Sequence, residues 1–278
     1  MRSFVSLVAG AVAAVALSAS SITAQSVADV VEGMYEAYAR QSEGVDDYTL
    51  VQDMMGVAAV SYFEKEIVEG HPVFRVRDAV VDGFGFGLGA DDAGHGDVFL
   101  FGPELVEHGR YGGRESVDGR ELHVLVVDDM SQLEMAQPAG PEDIEFVART
   151  AHIYVDPDLM MPRRMVFVGD ALTTEGPQEV TLRLDLGDYR EVEGMLFAYR
   201  TVMRIEGLQA MVDPAMMAEL EEMQRQMAEM PPEQRAMIEQ MMGPQLEQLR
   251  QMLEGGGDAM TMEIALTEVR VNAGPPAA

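Results

Sequence analysis

Short segments that alternate apolar and polar residues follow one another at hairpin spacing, and this constrains the chain most. In residues 180–186, Leu182, Leu184 and Leu186 share one face while Arg183 and Asp185 take the other, the period of a half-buried strand. Gly187-Asp188 reads as the break, and residues 195–205 return with Phe197, Tyr199, Met203 and Ile205 on one face. Residues 60–67 and 73–81 form a similar pair around Glu69-Gly70-His71-Pro72, and Asp118-Gly119 turns 111–116 into 122–127. Asp156-Pro157-Asp158 turns 151–155 into 163–168. A parallel sheet needs a crossover helix between strands, and no helical pattern separates these. The expected class is α+β, an antiparallel meander or open barrel.

Helical patterns occur in three places. Ser26 can cap a helix reaching Arg40, with Val27, Val30, Val31, Met34 and Tyr38 at helical spacing. Residues 103–107 read as a short helix. The third place lies between Gly207 and Gly257, where Asp213-Pro214 opens a helix carrying Met216, Leu220, Met223, Met227 and Met230. Pro231-Pro232 separates it from a second helix with Met237, Ile238, Met241 and Met242. The chain then resumes as a strand with Met260, Met262, Ile264 and Leu266 on one face. Val269 and Val271 have the opposite parity, which predicts a β-bulge near Thr267-Glu268. Residues 208–257 are thus a methionine-rich helical insertion between two strands of one domain, 25–278.

Residues 1–24 carry Arg2, an alanine-rich apolar run and Ile22-Thr23-Ala24, the three regions of a secretory signal peptide. Cleavage is expected between Ala24 and Gln25, releasing a periplasmic protein with no stable membrane insertion, since no later run is long and apolar enough to span a bilayer. The chain has no cysteine, which excludes disulfides, thiolate zinc sites, a cysteine nucleophile and a lipid-modified cysteine. A net charge of −29 repels phosphate backbones, so no nucleic-acid partner is expected.

Four segments resemble the outer-membrane lipoprotein carrier superfamily, the LolA-like sorting proteins. They are Tyr111-Gly112-Gly113-Arg114 running to Arg120; Ile153-Tyr154-Val155-Asp156-Pro157 with Met161-Pro162-Arg163-Arg164; Asp188-Tyr189-Arg190 running to Gly194; and Val269-Arg270-Val271-Asn272-Ala273-Gly274. They occur in the family's order. The resemblance implies a strongly curved, unclosed half β-barrel with helices in its concavity, and binding of acyl chains or other apolar ligands there. Ala198, where the family commonly has proline, and the long methionine-rich insert depart from the pattern.

Methionine is unbranched and adapts to apolar surfaces of varied shape. One reading makes Met216, Leu220, Met223, Met227, Met230, Met237 and Met241 a hydrophobic lid over a sheet face of Phe197, Tyr199, Met203, Met262 and Ile264. The same spacing also suits an ordinary buried helix face, and thioether copper(I) binding is a third reading. The histidines, His71, His95, His108, His123 and His152, show no metal spacing, so no metal or cofactor is expected. No nucleophile elbow or defensible catalytic order is present. The expectation is a non-enzymatic periplasmic carrier for a lipid or lipoprotein acyl chain. The alternative is an envelope interaction or stress-sensing module that docks a protein partner through the methionine-rich helices.

Overall fold

The structure is a computed structural model that describes residues 25–54, 56–81, 102–133, 145–173, 176–207 and 259–276. The expected signal peptide and the methionine-rich insertion lie outside the described residues. Ten strands form one antiparallel sheet: β1 (Asp47–Met54), β2 (Val57–Val68), β3 (His71–Val81), β4 (Gly109–Val117), β5 (Arg120–Val127), β6 (Glu145–Val155), β7 (Pro162–Thr173), β8 (Gly176–Val192), β9 (Met195–Glu206) and β10 (Ala259–Val271). Their order is β3-β2-β1-β10-β9-β8-β7-β6-β5-β4. The sheet is curved and does not close, so β3 and β4 are its two edges. Among the described residues, two α-helices accompany the sheet in this α+β fold, α1 (Val27–Gln41) and α2 (Gly102–His108).

Two-residue turns fix the register at one end of the sheet. Glu69-Gly70, Asp118-Gly119 and Glu193-Gly194 each have both residues at positive φ, from 51° to 91°, the mirror-image turn geometry whose twist matches paired strands. The other end carries the longer connections, because β3, β5 and β9 all finish there and β6 and β10 begin there. The expected bulge is present: Val51 pairs with Glu268 and Gln52 with Leu266, which leaves Thr267 unmatched. Its Oγ1 donates to the Val51 carbonyl at 2.9 Å.

One expectation fails. Gly187-Asp188 does not end a strand; β8 runs through it to Val192, with Gly187 opposite Arg200 and Tyr189 opposite Ala198. Asp188 takes φ 51° within the strand, a conformation that a short polar side chain tolerates, and the actual turn is Glu193-Gly194.

Helix α1 begins at a capping box, in which Ser26 Oγ accepts from the Asp29 N–H and the Asp29 carboxylate accepts from the Ser26 N–H. It buries Val27, Val30, Val31, Met34, Tyr35 and Tyr38 in the main core, together with Phe74, Leu125, Val127, Phe167, Leu182 and Phe197. It touches both edge strands, β3 and β4, as well as β9 and α2. That contact pattern places α1 in the concavity. The outer face is different. There arginines meet carboxylates along and across strands: Arg77 with Glu64 at 3.1 Å, Arg149 with Asp170 at 3.3 Å, Arg200 with Glu263 at 2.7 Å and Arg270 with Glu268 at 2.8 Å. A small apolar cluster of Leu122, Val124, Val126 and Tyr154 interrupts this surface, so β5 is buried on both faces. Gly112 is the bulged residue of β4; a Cβ there would come within 3.0 Å of Val126 Cγ2.

Candidate functional site: the concave face

Cross-strand register decides which residues share the concave face. Leu182 pairs with Ile205, Leu184 with Met203 and Leu186 with Thr201. Met203 pairs in turn with Met262, Ile205 with Met260 and Thr201 with Ile264. Paired residues project to the same side of a sheet. These side chains therefore form a stripe three strands wide on β8, β9 and β10, on the side that carries α1. Leu182 is buried and the others are half-buried. No member carries a charge.

The five sheet residues expected to meet a ligand lie on this face, in two environments. Phe197 is 7% exposed and packs edge-on against Tyr48 at 5.2 Å, within a cluster that includes Phe63 and Phe74. Tyr199 lies under the Arg190 guanidinium, 4.3 Å from its ring centre. Both are engaged by the protein itself. Met203, Met262 and Ile264 are half-buried, like Tyr199, and lie toward the end of the sheet where β9 leaves and β10 returns. Met216, Leu220, Met223, Met227, Met230, Met237 and Met241 lie outside the described residues, as does Ala24. Gln25 immediately precedes the cap of α1.

Two polar clusters flank the concavity. The first joins three of the segments quoted above. Asp156, 2% exposed, accepts through Oδ1 from the N–H groups of Asp158 and Leu159 at 2.9 and 3.2 Å. Its Oδ2 accepts from Arg163 Nε at 2.9 Å and from Arg120 at 3.4 Å. Burial alone would raise this carboxyl, but the Asp158 N–H and Arg163 outweigh it and hold it below the usual carboxylate range. The Arg163 guanidinium sits 4.7 Å over the Tyr189 ring, whose hydroxyl donates to the Pro162 carbonyl. Burial pushes the Tyr189 hydroxyl well above its ordinary value.

The second cluster centres on His123, 1% exposed on β5. Its Nδ1 is 3.0 Å from the Tyr111 hydroxyl, and its Nε2 is 3.5 Å from the Gln25 side-chain amide. Burial, and then the nearby Arg114, push the imidazole below its ordinary value, which keeps it neutral near pH 7. The first cluster orders the β6–β7 turn, and the second joins β4 and β5 to the start of α1. Among the described residues, no three histidine, aspartate or glutamate side chains gather as a metal site, and no helix is long and apolar enough to cross a membrane. In the sequence His123 is one of five scattered histidines. A polar residue in the otherwise apolar run from Leu122 to Val127 was the available signal.

No protein-family model matches the chain, and no curated protein matches it in sequence. Among solved structures, a DUF1329 family protein from Desulfovibrio piger aligns with a TM-score of 0.40 at 12% identity, over 90% of this chain and 93% of that one. MucB aligns with a TM-score of 0.24 at 12% identity, over 67% of this chain and 82% of its own. MucB in complex with MucA(peri) gives 0.19 at 11% identity, over 63% and 87%.

Proposed function

We propose that this chain is an exported, non-enzymatic carrier that holds the apolar part of an amphiphile on the concave face of the half-barrel. The observation that carries the reading is the uncharged stripe on β8–β10, which is continuous with the core yet only half-buried at Met203, Met262 and Ile264. An acyl chain laid along it gains about 0.8 kcal/mol per methylene removed from water, enough for reversible capture without any chemistry. The likeness of four segments to the lipoprotein carrier superfamily supports the same ligand class. In this reading the methionine-rich insertion, which lies between β9 and β10, two of the three strands bearing the stripe, supplies the opposing apolar surface through Met216, Leu220, Met223, Met227, Met230, Met237 and Met241.

The test is binding of N-phenylnaphthylamine, an uncharged reporter that brightens in apolar surroundings. Intact protein should bind it. Replacing Met203 and Ile264 by glutamine and asparagine should weaken binding, and so should replacing residues 209–256 by a short turn, with both variants folded by circular dichroism. Equal affinity in all three would remove the carrier reading. It would leave the insertion as a surface for docking a protein partner.

A further inference from the structure

We infer that the concave stripe discriminates by head-group charge, and that it takes amphiphiles with a cationic head group in preference to anionic ones of the same chain length. The inference rests on the carrier reading above and specifies its ligand. Three observations carry it.

The first is the partition of charge between the two faces of the sheet. Arg200 and Arg204 on β9 occupy the positions between the stripe residues and so point to the outer face, where Glu263 and Glu206 already bind them at 2.7 and 2.8 Å. Arg183 on β8 is likewise outward and bonded to Asp185 at 2.7 Å. The one cation that these strands place on the concave side, Arg190 on β8, lies over the Tyr199 ring and is paired with Asp188.

The second concerns the basic residues elsewhere on the concave side. Arg163 is held by Asp156, and Lys65 donates to the Ser42 carbonyl at 2.6 Å. Arg114, on edge strand β4, has no carboxylate partner among the described residues, but it stands six strands from β10 in the sheet order. An anionic head group anchored near Met203 and Met262 therefore gains no direct pairing among the described residues. To form one it would have to draw a guanidinium away from an existing carboxylate, and that exchange has no net gain in ion pairs.

The third is the field around the site. The chain carries 48 acidic against 19 basic residues, and a head group left at the mouth of the concavity lies in the resulting negative potential. That potential attracts an ammonium and repels a carboxylate. An uncharged head group feels neither effect, so it should rank between the two.

Displacement of bound N-phenylnaphthylamine from the intact protein tests this. The competitors share one chain length and are used below their micellar concentrations: dodecyltrimethylammonium, laurate and uncharged monolaurin. In low salt the ammonium should displace the reporter at a concentration at least about tenfold below that of laurate, with monolaurin between them. The gap should close as salt rises, because the screening length falls from about 10 Å at 0.1 M to about 3 Å at 1 M. The double replacement at Met203 and Ile264 adds no charge, so it should weaken all three competitors together. Ammonium binding that survives it unchanged would be binding to the acidic exterior, and would overturn the proposal. Laurate competing as well as the ammonium in low salt would overturn the charge preference while leaving the carrier reading intact. A reporter that does not bind the intact protein would remove both.

Discussion

Arg163 and Asp156 form an ion pair across the β6–β7 turn, with Nε 2.9 Å from Oδ2 and the carboxylate 3% exposed. The pair is more than a surface contact, since the same carboxylate orders the turn through two backbone N–H groups. Replacing Arg163 by methionine leaves a buried charge without its main partner and should cost about 3 kcal/mol, read as a shift in the urea midpoint. Asp156→Asn should cost less, because an amide oxygen still accepts from Asp158 and Leu159. The folded carboxyl titrates below its ordinary value of 3.8. Its stabilisation is therefore complete above the unfolded pKa and is lost as pH falls through the folded one. Below about pH 4 the difference between wild type and D156N should shrink.

His123 predicts a different pH window. Its folded pKa lies below 6.5, so on acidification the unfolded chain takes up a proton before the folded one does. Stability should fall as pH drops from about 6.5 toward the folded pKa. Comparing urea midpoints at pH 7 and pH 5 for wild type and His123→Gln checks this. The variant should lose less stability over the interval, and an identical slope would show that the imidazole is not the group responsible.

Asn272 fastens the carboxy-terminal strand to the loop after α1. Its Oδ1 accepts from the Asp46 N–H at 2.7 Å and its Nδ2 donates to the Gly44 carbonyl at 2.9 Å, while its own φ is 52°. Asn272→Ala removes both bonds and puts a less tolerant residue in the left-handed region, at a cost of about 2 kcal/mol. Asn272→Gly loses the same bonds without the backbone strain, so its melting temperature should lie between those of wild type and the alanine variant.

Lys65 is the single lysine of the chain, and its ammonium is committed to the Ser42 carbonyl at the end of α1. Lys65→Met keeps the stem and removes the bond, and should destabilise by about 1 kcal/mol. Amine-directed labelling should modify Lys65 more slowly in the native protein than in urea; equal rates would mean that the contact does not persist in solution.

Strand alternation is legible wherever one face is buried, and the leucines of β8 and the parity change at Thr267 show this. A slip by one residue would turn every side chain to the wrong face, so the pattern must be strict. Asp188 misled because turn-forming residues also serve inside a long strand when pairing on both sides continues. β1 does not stand out in the sequence, since Asp47-Tyr48-Thr49-Leu50-Val51-Gln52-Asp53-Met54 mixes polar residues into both faces. The polar clusters were illegible for another reason. Asp156, Arg163 and Tyr189 appear in the quoted segments, but their contact depends on how three hairpins stack, which no local pattern encodes. The concave location of Met203, Met262 and Ile264 followed from parity alone.

Because α1 bears on both edge strands, it acts as a strut between the two rims of the half-barrel. The girth of the opening is then set by the side chains of one 15-residue helix rather than by the strands that line it. Smaller residues at Met34, Tyr35 or Tyr38 would let the rims draw together, and bulkier ones would spread them. A protein of this design can retune the width of its cavity through its first helix while every strand, register and turn stays as it is.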